Sequence, residues 1–248
     1  MSGSEISNLL AGKIALVTGG SRGIGKAIAE AYARAGAKVF ICGRRKDALD
    51  WALSDLRSAA NQIDGAVGDV GKPEDAKRIV RTTLDRYGTI HVLVNNASLL
   101  GPREPIAGYP AAAWEDVIRV NLTGPFLMTQ EVLQTMLPQH NGSIINISSG
   151  VGRIGRSRWG AYSVSKFGLE GFTQIVAEEL KEIGIRANAV NPGPTRTEMR
   201  AHAYPDEDPK TLPTPDKIVP VFLYLASDES RGVSGQSFDA QDWEKPVV

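Results

Sequence analysis

Seven short apolar runs alternating with helical patterns constrain this fold more than anything else in the chain. The runs fall at 14–17, 38–42, 63–67, 92–94, 143–147, 186–190 and 234–238. Helical periodicity fills 23–35, 47–60, 73–87, 111–136 and 161–183 between the first six. Runs this short and apolar read as strands buried on both faces, and strands alternating with helices make a parallel sheet. Right-handed crossovers leave few ways to order it. The expectation is one α/β domain over residues 1–248, a doubly wound, mainly parallel seven-stranded sheet with helices on both faces. Pro73 suits the first turn of its helix, and Pro138 should end the long helix before it. The stretch 204–215, rich in proline and charge, reads as a loop. Ligands of such sheets bind beyond the carboxyl ends of the strands. Thr18 to Gly25, Gly43 to Arg45, Asp69, Asn95 to Ala97, Ser149 and Pro192-Gly193 each follow an expected strand, so they should gather on one edge.

The first strand runs straight into Thr18-Gly19-Gly20-Ser21-Arg22-Gly23-Ile24-Gly25, and a helical pattern (Ile28, Ala29, Tyr32, Ala33) follows. Glycines let the backbone turn sharply and approach a pyrophosphate closely. A helix N-terminus adds unpaired N–H groups and the positive end of its dipole. A nucleotide site is the reading this context favours over a bare tight turn. The second strand ends Cys42-Gly43-Arg44-Arg45, with no carboxylate to take ribose hydroxyls. Arg44 and Arg22 can instead grip a 2′-phosphate, which points to NADP(H). For Arg45 a phosphate contact and a solvated charge both stay open.

Tyr162 and Lys166 stand four apart at the start of the last long helical pattern. Leu169, Phe172, Val176, Leu180 and Ile183 mark its buried face, and Gly184 marks its end. An unperturbed phenol titrates near pH ~10. An ammonium one turn away should favour the phenolate and bring that value down. Ser149 closes the fifth strand thirteen residues earlier. Alone, the Tyr–Lys pair would read as an ordinary surface pair; the nucleotide loop at the other end of the chain tells against that.

Six motifs occur in order: the glycine loop as TGxxxGxG; Asp69-Val70; Asn95-Asn96-Ala97; Asn121; Ser149 with YxxxK at Tyr162 and Lys166; and Pro192-Gly193. Over about residues 10 to 240 the chain thereby resembles the short-chain dehydrogenase/reductase family. The resemblance implies a Rossmann-like fold. It also implies hydride transfer between NADP(H) and a carbonyl or secondary alcohol, with Tyr162 as general acid/base. By the same resemblance, Lys166 depresses the Tyr162 pKa and bonds the nicotinamide ribose, Ser149 holds the substrate oxygen, and Asn121 holds a water linking Lys166 to solvent. A simple packing role for Asn121 stays open. The cofactor set it implies is Gly19, Ser21, Arg22, Gly23, Ile24, Gly25, Arg44, Asp69, Val70, Asn96, Ala97, Pro192, Gly193, Thr195 and Thr197, with Tyr162 and Lys166. Asp69 is assigned to the adenine amino group, with a helix cap near Pro73 as a compatible second role. Asn95 should buttress the sheet, and Ser148 should lie on the other side of the chain from Ser149. Two departures stand out. Ser98 replaces a glycine common in relatives, and Phe238-Asp239-Ala240-Gln241-Asp242-Trp243 replaces an Asp-Gly-Gly ending. A homo-oligomer, dimer or tetramer, is implied by resemblance alone.

Hydrophobic residues make up 42% of the 248, enough for a sizeable core. Formal net charge is zero and the basic residues are scattered, so neither nucleic acid nor an anionic membrane is an expected partner. Cys42 is the one cysteine, so no internal disulfide can form. The polar start lacks a signal peptide's basic-then-apolar character, and no apolar run approaches a bilayer span. A cytoplasmic enzyme acting on a small molecule, without a metal, is expected. Ser163-Val164-Ser165-Lys166 also matches the SxxK of penicillin-recognising acyl hydrolases, but the SDN and KTG elements are missing. A nicotinamide-binding regulator without turnover would share the fold, and the intact Ser149, Tyr162 and Lys166 set argues against it. Leu99, Leu100, Val151, Ile154 and Trp159 are candidates for an apolar substrate pocket. Arg153, Arg156 and Arg158 crowd the loop before the tyrosine, where they either steer an anionic substrate or stay solvated.

Overall fold

The computed structural model describes residues 8–59 and 62–244. Seven strands form one sheet: β1 Ile14–Thr18, β2 Lys38–Gly43, β3 Ile63–Val67, β4 Val92–Asn95, β5 Gly142–Ile147, β6 Ile185–Asn191 and β7 Ser237–Asp239. Their order is β3-β2-β1-β4-β5-β6-β7, and every pairing is parallel. The chain starts mid-sheet, winds out to β3, then returns to build β4 to β7 on the other side. The reversal between β1 and β4 opens the crevice in which such sheets bind ligands.

The helices are α1 Gly23–Arg34, α2 Lys46–Ala59, α3 Pro73–Tyr87, α4 Ala111–Ile118, α5 Gly124–Gln139, α6 Gly160–Glu179, α7 Glu198–Ala203 and α8 Pro220–Ala226. Strand side chains alternate between the faces. Val17, Val39, Ile41 and Val94 share one core cluster with Ile28 of α1, Leu53 of α2 and Phe222 of α8. Leu16, Phe40, Leu93 and Ile144 share the other with Ile79 of α3, Met128 of α5 and Val176 of α6. The Tyr32 hydroxyl donates to the Phe222 carbonyl (2.9 Å) and ties α1 to α8.

Four boundaries differ from expectation. The helix expected over 111–136 is broken by a π-helical stretch at Arg119–Thr123. Pro125, four residues past Asn121, has no N–H to give its carbonyl, and Gly124 N–H reaches back five residues to Arg119 O. Pro138 does not end α5. It sits inside the last turn, where its missing N–H leaves the Gln134 carbonyl without its i+4 donor, and His140 (φ 48°) closes the helix two residues later. The seventh strand is shorter than 234–238 because Gly235 (φ 74°) turns the chain before the ladder begins. The helix expected to reach 183 tightens after Glu179 into a 3₁₀ turn, Lys181–Ile183, and Gly184 (φ 83°) ends it. The expected end of α2 at Ala60 lies outside the described residues.

Candidate active site

A cleft of ≈ 650 Å³ runs along the carboxyl ends of the strands. Its near wall is the glycine loop. Thr18 Oγ1 donates to Val94 O (3.2 Å) and accepts from Asn96 N and Ala97 N (3.0 Å each), so the β1 and β4 loops are locked together. Asn96 Nδ2 donates to Thr18 O (2.8 Å) and Gly19 O (3.0 Å). Gly19 and Gly23 lie in the left-handed region (φ 64° and 55°). A Cβ at Gly25 would press on Asn96 and on Gly19 O, so only glycine lets this brace close. No side chain caps α1 and no acid stands in its first turn, so its N–H groups are left for an outside acceptor.

At the β2 end, Gly43 and the exposed Arg44 border the cleft, and Arg44 has no ion pair or hydrogen bond among the described residues. Arg22 also borders it but pairs with Glu198 of α7. Arg45 lies 3.8 Å from Asp47. Asp69 accepts from Gly71 N (3.0 Å) and Arg119 Nη1 (2.9 Å). It does not cap α3, whose N-cap Lys72 has no side-chain bond. Six cations border the cleft (Arg22, Arg44, Arg45, Arg156, Lys166, Arg200) against two carboxylates (Asp69, Glu198), an excess of four positive charges on a chain of zero formal net charge.

The far end holds the trio. Ser149 follows β5 in extended backbone, and α6 carries Tyr162 and Lys166 one turn apart. Tyr162 is 9% and Lys166 3% exposed. Lys166 Nζ donates to Ile147 O (2.7 Å) and lies 5.6 Å from the Tyr162 ring centroid. Burial pushes the phenol up to about 12, with a hydrogen bond from Ser149 pulling the other way. Burial pushes the lysine down to about 8, opposed by Glu170. The expected depression of the phenol by the lysine is not found: both groups are dry, and lost solvation dominates each of them. Ser148, expected on the other side of the chain, also borders the cleft, but its hydroxyl is buried and unpartnered; Ser149 is the serine that lowers the phenol's pKa.

All the expected cofactor residues border the cleft except Gly25, which acts from behind through Asn96. Asn121 does not border it either. Its side chain accepts from Leu99 N (2.7 Å) and donates to Leu99 O (2.8 Å) and Ser165 Oγ (3.2 Å). Asn95 braces the sheet as expected, donating to Asn146 Oδ1 (2.9 Å). Thr195 bonds back to Pro192 O and Gly193 O (3.2 Å each), and Thr197 caps α7 by accepting from Arg200 N (3.1 Å). Ser98 borders the cleft with a buried, unpartnered hydroxyl. Ile154 is exposed and lies outside it, whereas Leu99, Leu100, Val151 and Trp159 line it.

Several supporting residues carry roles that the sequence did not assign, two of them within the departing stretch 238–243. Gln241 Nε2 donates to Pro192 O (3.2 Å) and Pro194 O (2.6 Å), clasping the turn at Gly193 (φ 67°). Asp239 accepts from Asn191 Nδ2 (2.7 Å) and Arg153 Nη1 (2.8 Å). Arg103 lies between Trp159 (4.5 Å) and Tyr204 (4.9 Å) and donates to Ala203 O (2.6 Å), pinning the end of α7 over the cleft. Trp159 in turn packs on Tyr162 (centroids 5.6 Å apart). Among the described residues no His, Cys, Asp and Glu cluster could hold a metal ion.

A family model described as short chain dehydrogenase matches residues 13–208. The chain is 40% identical over 244 residues to the uncharacterized oxidoreductase YciK of Escherichia coli K12, covering 97% of this chain and 96% of that protein. It is 38% identical over 237 residues to the 3-oxoacyl-[acyl-carrier-protein] reductase FabG of Thermotoga maritima, covering 92% and 95%. Among solved structures, a short chain dehydrogenase of E. coli CFT073 complexed with NADPH superposes with a TM-score of 0.91 at 40% identity, covering 95% of this chain and 99% of that one.

Proposed function

The chain belongs to the short-chain dehydrogenase family of oxidoreductases, and we propose that it is an NADP(H)-dependent enzyme reducing a ketone or aldehyde carbonyl, or running the reverse oxidation. One observation carries this reading: a buried Tyr162, beside Lys166, shares with Ser149 the same cleft as a glycine loop and an uncapped helix N-terminus.

The residues fit the cofactor. The free N–H groups of α1 suit a diphosphate, and the unpaired Arg44 beside Gly43 suits a 2′-phosphate where an acid would repel it. Asp69 retains lone pairs for an adenine amino group. The NADPH complex of the similar E. coli protein supports the same choice. When bound, the nicotinamide supplies the hydride that reaches the carbonyl carbon.

Tyr162 gives its O–H proton to the carbonyl oxygen as negative charge builds there, and the Ser149 hydroxyl steadies that oxygen. A phenol held at about 12 is protonated at neutral pH, the state an acid needs. The phenolate left behind forms beside Lys166. At about 8 the lysine is mostly cationic at pH 7, so the pair becomes attractive at the moment of proton loss. Val164 and Phe167 on α6 and Phe126 on α5 are exposed apolar side chains, which supports a homo-oligomer joined through these helices. No described helix is long and apolar enough to cross a membrane. The lone, buried Cys42 needs no oxidising compartment and agrees with a cytoplasmic location.

Tyr162→Phe is the test. Carbonyl-dependent NADPH oxidation should fall at least about a hundredfold, with NADPH binding, followed by fluorescence, kept. A variant that retains a large part of the turnover would show that another group supplies the proton.

A further inference from the structure

Three arginines crowd the loop between β5 and α6, and the structure separates their roles. Arg153 is spent on Asp239 (2.8 Å), Ser237 Oγ (2.6 Å) and Glu170 (3.4 Å). Arg158 donates to Arg103 O (3.1 Å) and faces Glu104 at 3.9 Å. Arg156 alone of the three borders the cleft, and no ion pair or hydrogen bond engages its side chain among the described residues. Its carbonyl accepts from Trp159 N (3.3 Å), in the turn that brings Trp159 against Tyr162.

The cleft offers Arg156 no acid. Asp69 is held by Arg119 and Glu198 by Arg22. The other arginine at this end, Arg200, is neutralised by Glu207 through two nitrogens (2.6 Å each). The cofactor's 2′-phosphate is not its partner either. Arg44 follows β2 and Arg156 follows β5, three strands away and so roughly 14 Å along the sheet. Around Tyr162 the walls are apolar, with Leu100, Val151, Trp159 and Tyr204 in one cluster.

Building on the carbonyl-reduction reading, we propose that the substrate is a carbonyl compound with an apolar body and an anionic group, carboxylate or phosphate, and that Arg156 binds that group. An unpaired guanidinium beside the apolar cluster of Leu100, Val151, Trp159 and Tyr204 attracts such a molecule and takes either oxyanion bidentately.

Two matched pairs test this at saturating NADPH: 4-benzoylbutyrate against its methyl ester for a carboxylate, and acetoacetyl-CoA against the acetoacetyl thioester of N-acetylcysteamine for phosphate. In at least one pair the charged member should have the higher kcat/KM, by about fivefold. Arg156→Gln should erase that ratio and Arg156→Glu reverse it, while the NADPH Kd stays the same. Damage to packing lowers both members of a pair alike and leaves the ratio standing, so the ratio reports the charge contact alone. A preference that survives Arg156→Gln, or neutral members equal to charged ones in both pairs, overturns the proposal. Loss of NADPH affinity in the variants also overturns it by moving Arg156 to the cofactor. No reduction of any of the four compounds despite NADPH binding would instead fell the carbonyl-reduction reading and the substrate class with it.

Discussion

Replacing Lys166 with methionine should make the fold more stable at pH 7 while destroying its use. The amine is 3% exposed, and burial takes it from the ordinary 10.5 down to about 8. A lowered folded-state value means that the unfolded chain binds the proton more tightly. The penalty is therefore complete below about 8, shrinks as pH rises, and is gone above 10.5. At about 1.4 kcal/mol for each tenfold in proton affinity, the wild type bears about 3 kcal/mol at pH 7 and about 1.4 kcal/mol at pH 9.5. Methionine removes this burden. It also removes the bond to Ile147 O (2.7 Å), a loss of about 1 kcal/mol that does not depend on pH. The variant should then lead by about 2 kcal/mol at pH 7 and be nearly level at pH 9.5. Urea unfolding of both proteins at the two pH values, at one ionic strength, measures the gap. A gap that stays constant, or widens as pH rises, would refute the idea that the folded protein disfavours a charged amine here.

Three other changes probe the rest of the cleft. Gly25→Ala places a Cβ 2.5 Å from Gly19 O and closer still to Asn96, so we expect a loss of roughly 1–3 kcal/mol in thermal unfolding and at least a tenfold weaker NADPH titration; wild-type affinity would contradict the packing picture. Arg44→Asp should swing the NADPH-to-NADH ratio of Kd values by about a hundredfold toward NADH, and unchanged NADPH affinity would count against the phosphate contact. Arg103→Ala removes a carbonyl bond and two aromatic contacts, together about 1–2 kcal/mol. Hydrogen exchange at the Tyr204 amide, which donates to Arg200 O (2.9 Å), should quicken; identical exchange would show that α7 is held by other means.

Much of this architecture was legible because buried strands and wet helices have different periods. The seven runs became seven strands, and their order follows from where consecutive helices must cross. The glycine loop, Arg44 and Ser149 could be found because each lies just past a strand, and Tyr162 and Lys166 because they stand one turn apart on a helix. Asn121 shows the limit. Gly124-Pro125 inside a helical pattern signals a break, yet the pattern continued on both sides and read as one helix. The phenol's titration was missed for another reason: spacing tells that an ammonium is near, but not that water is absent. The roles of Gln241, Asp239 and Arg103 were not legible because their work is with backbone carbonyls and partners about 50 to 100 residues away, which no local pattern encodes.

The clasp at Pro192 sets an order of events during synthesis. Ser149, Tyr162 and Lys166 leave the ribosome well before Asp239 and Gln241, which lie 48 and 49 residues beyond the groups they hold at Asn191 and Pro192. A nascent chain that has just completed β6 therefore owns every reactive group but has an unsecured mouth. The turn at Pro192 is fastened only when β7 docks, so this wall of the cleft is the last part of it to be secured.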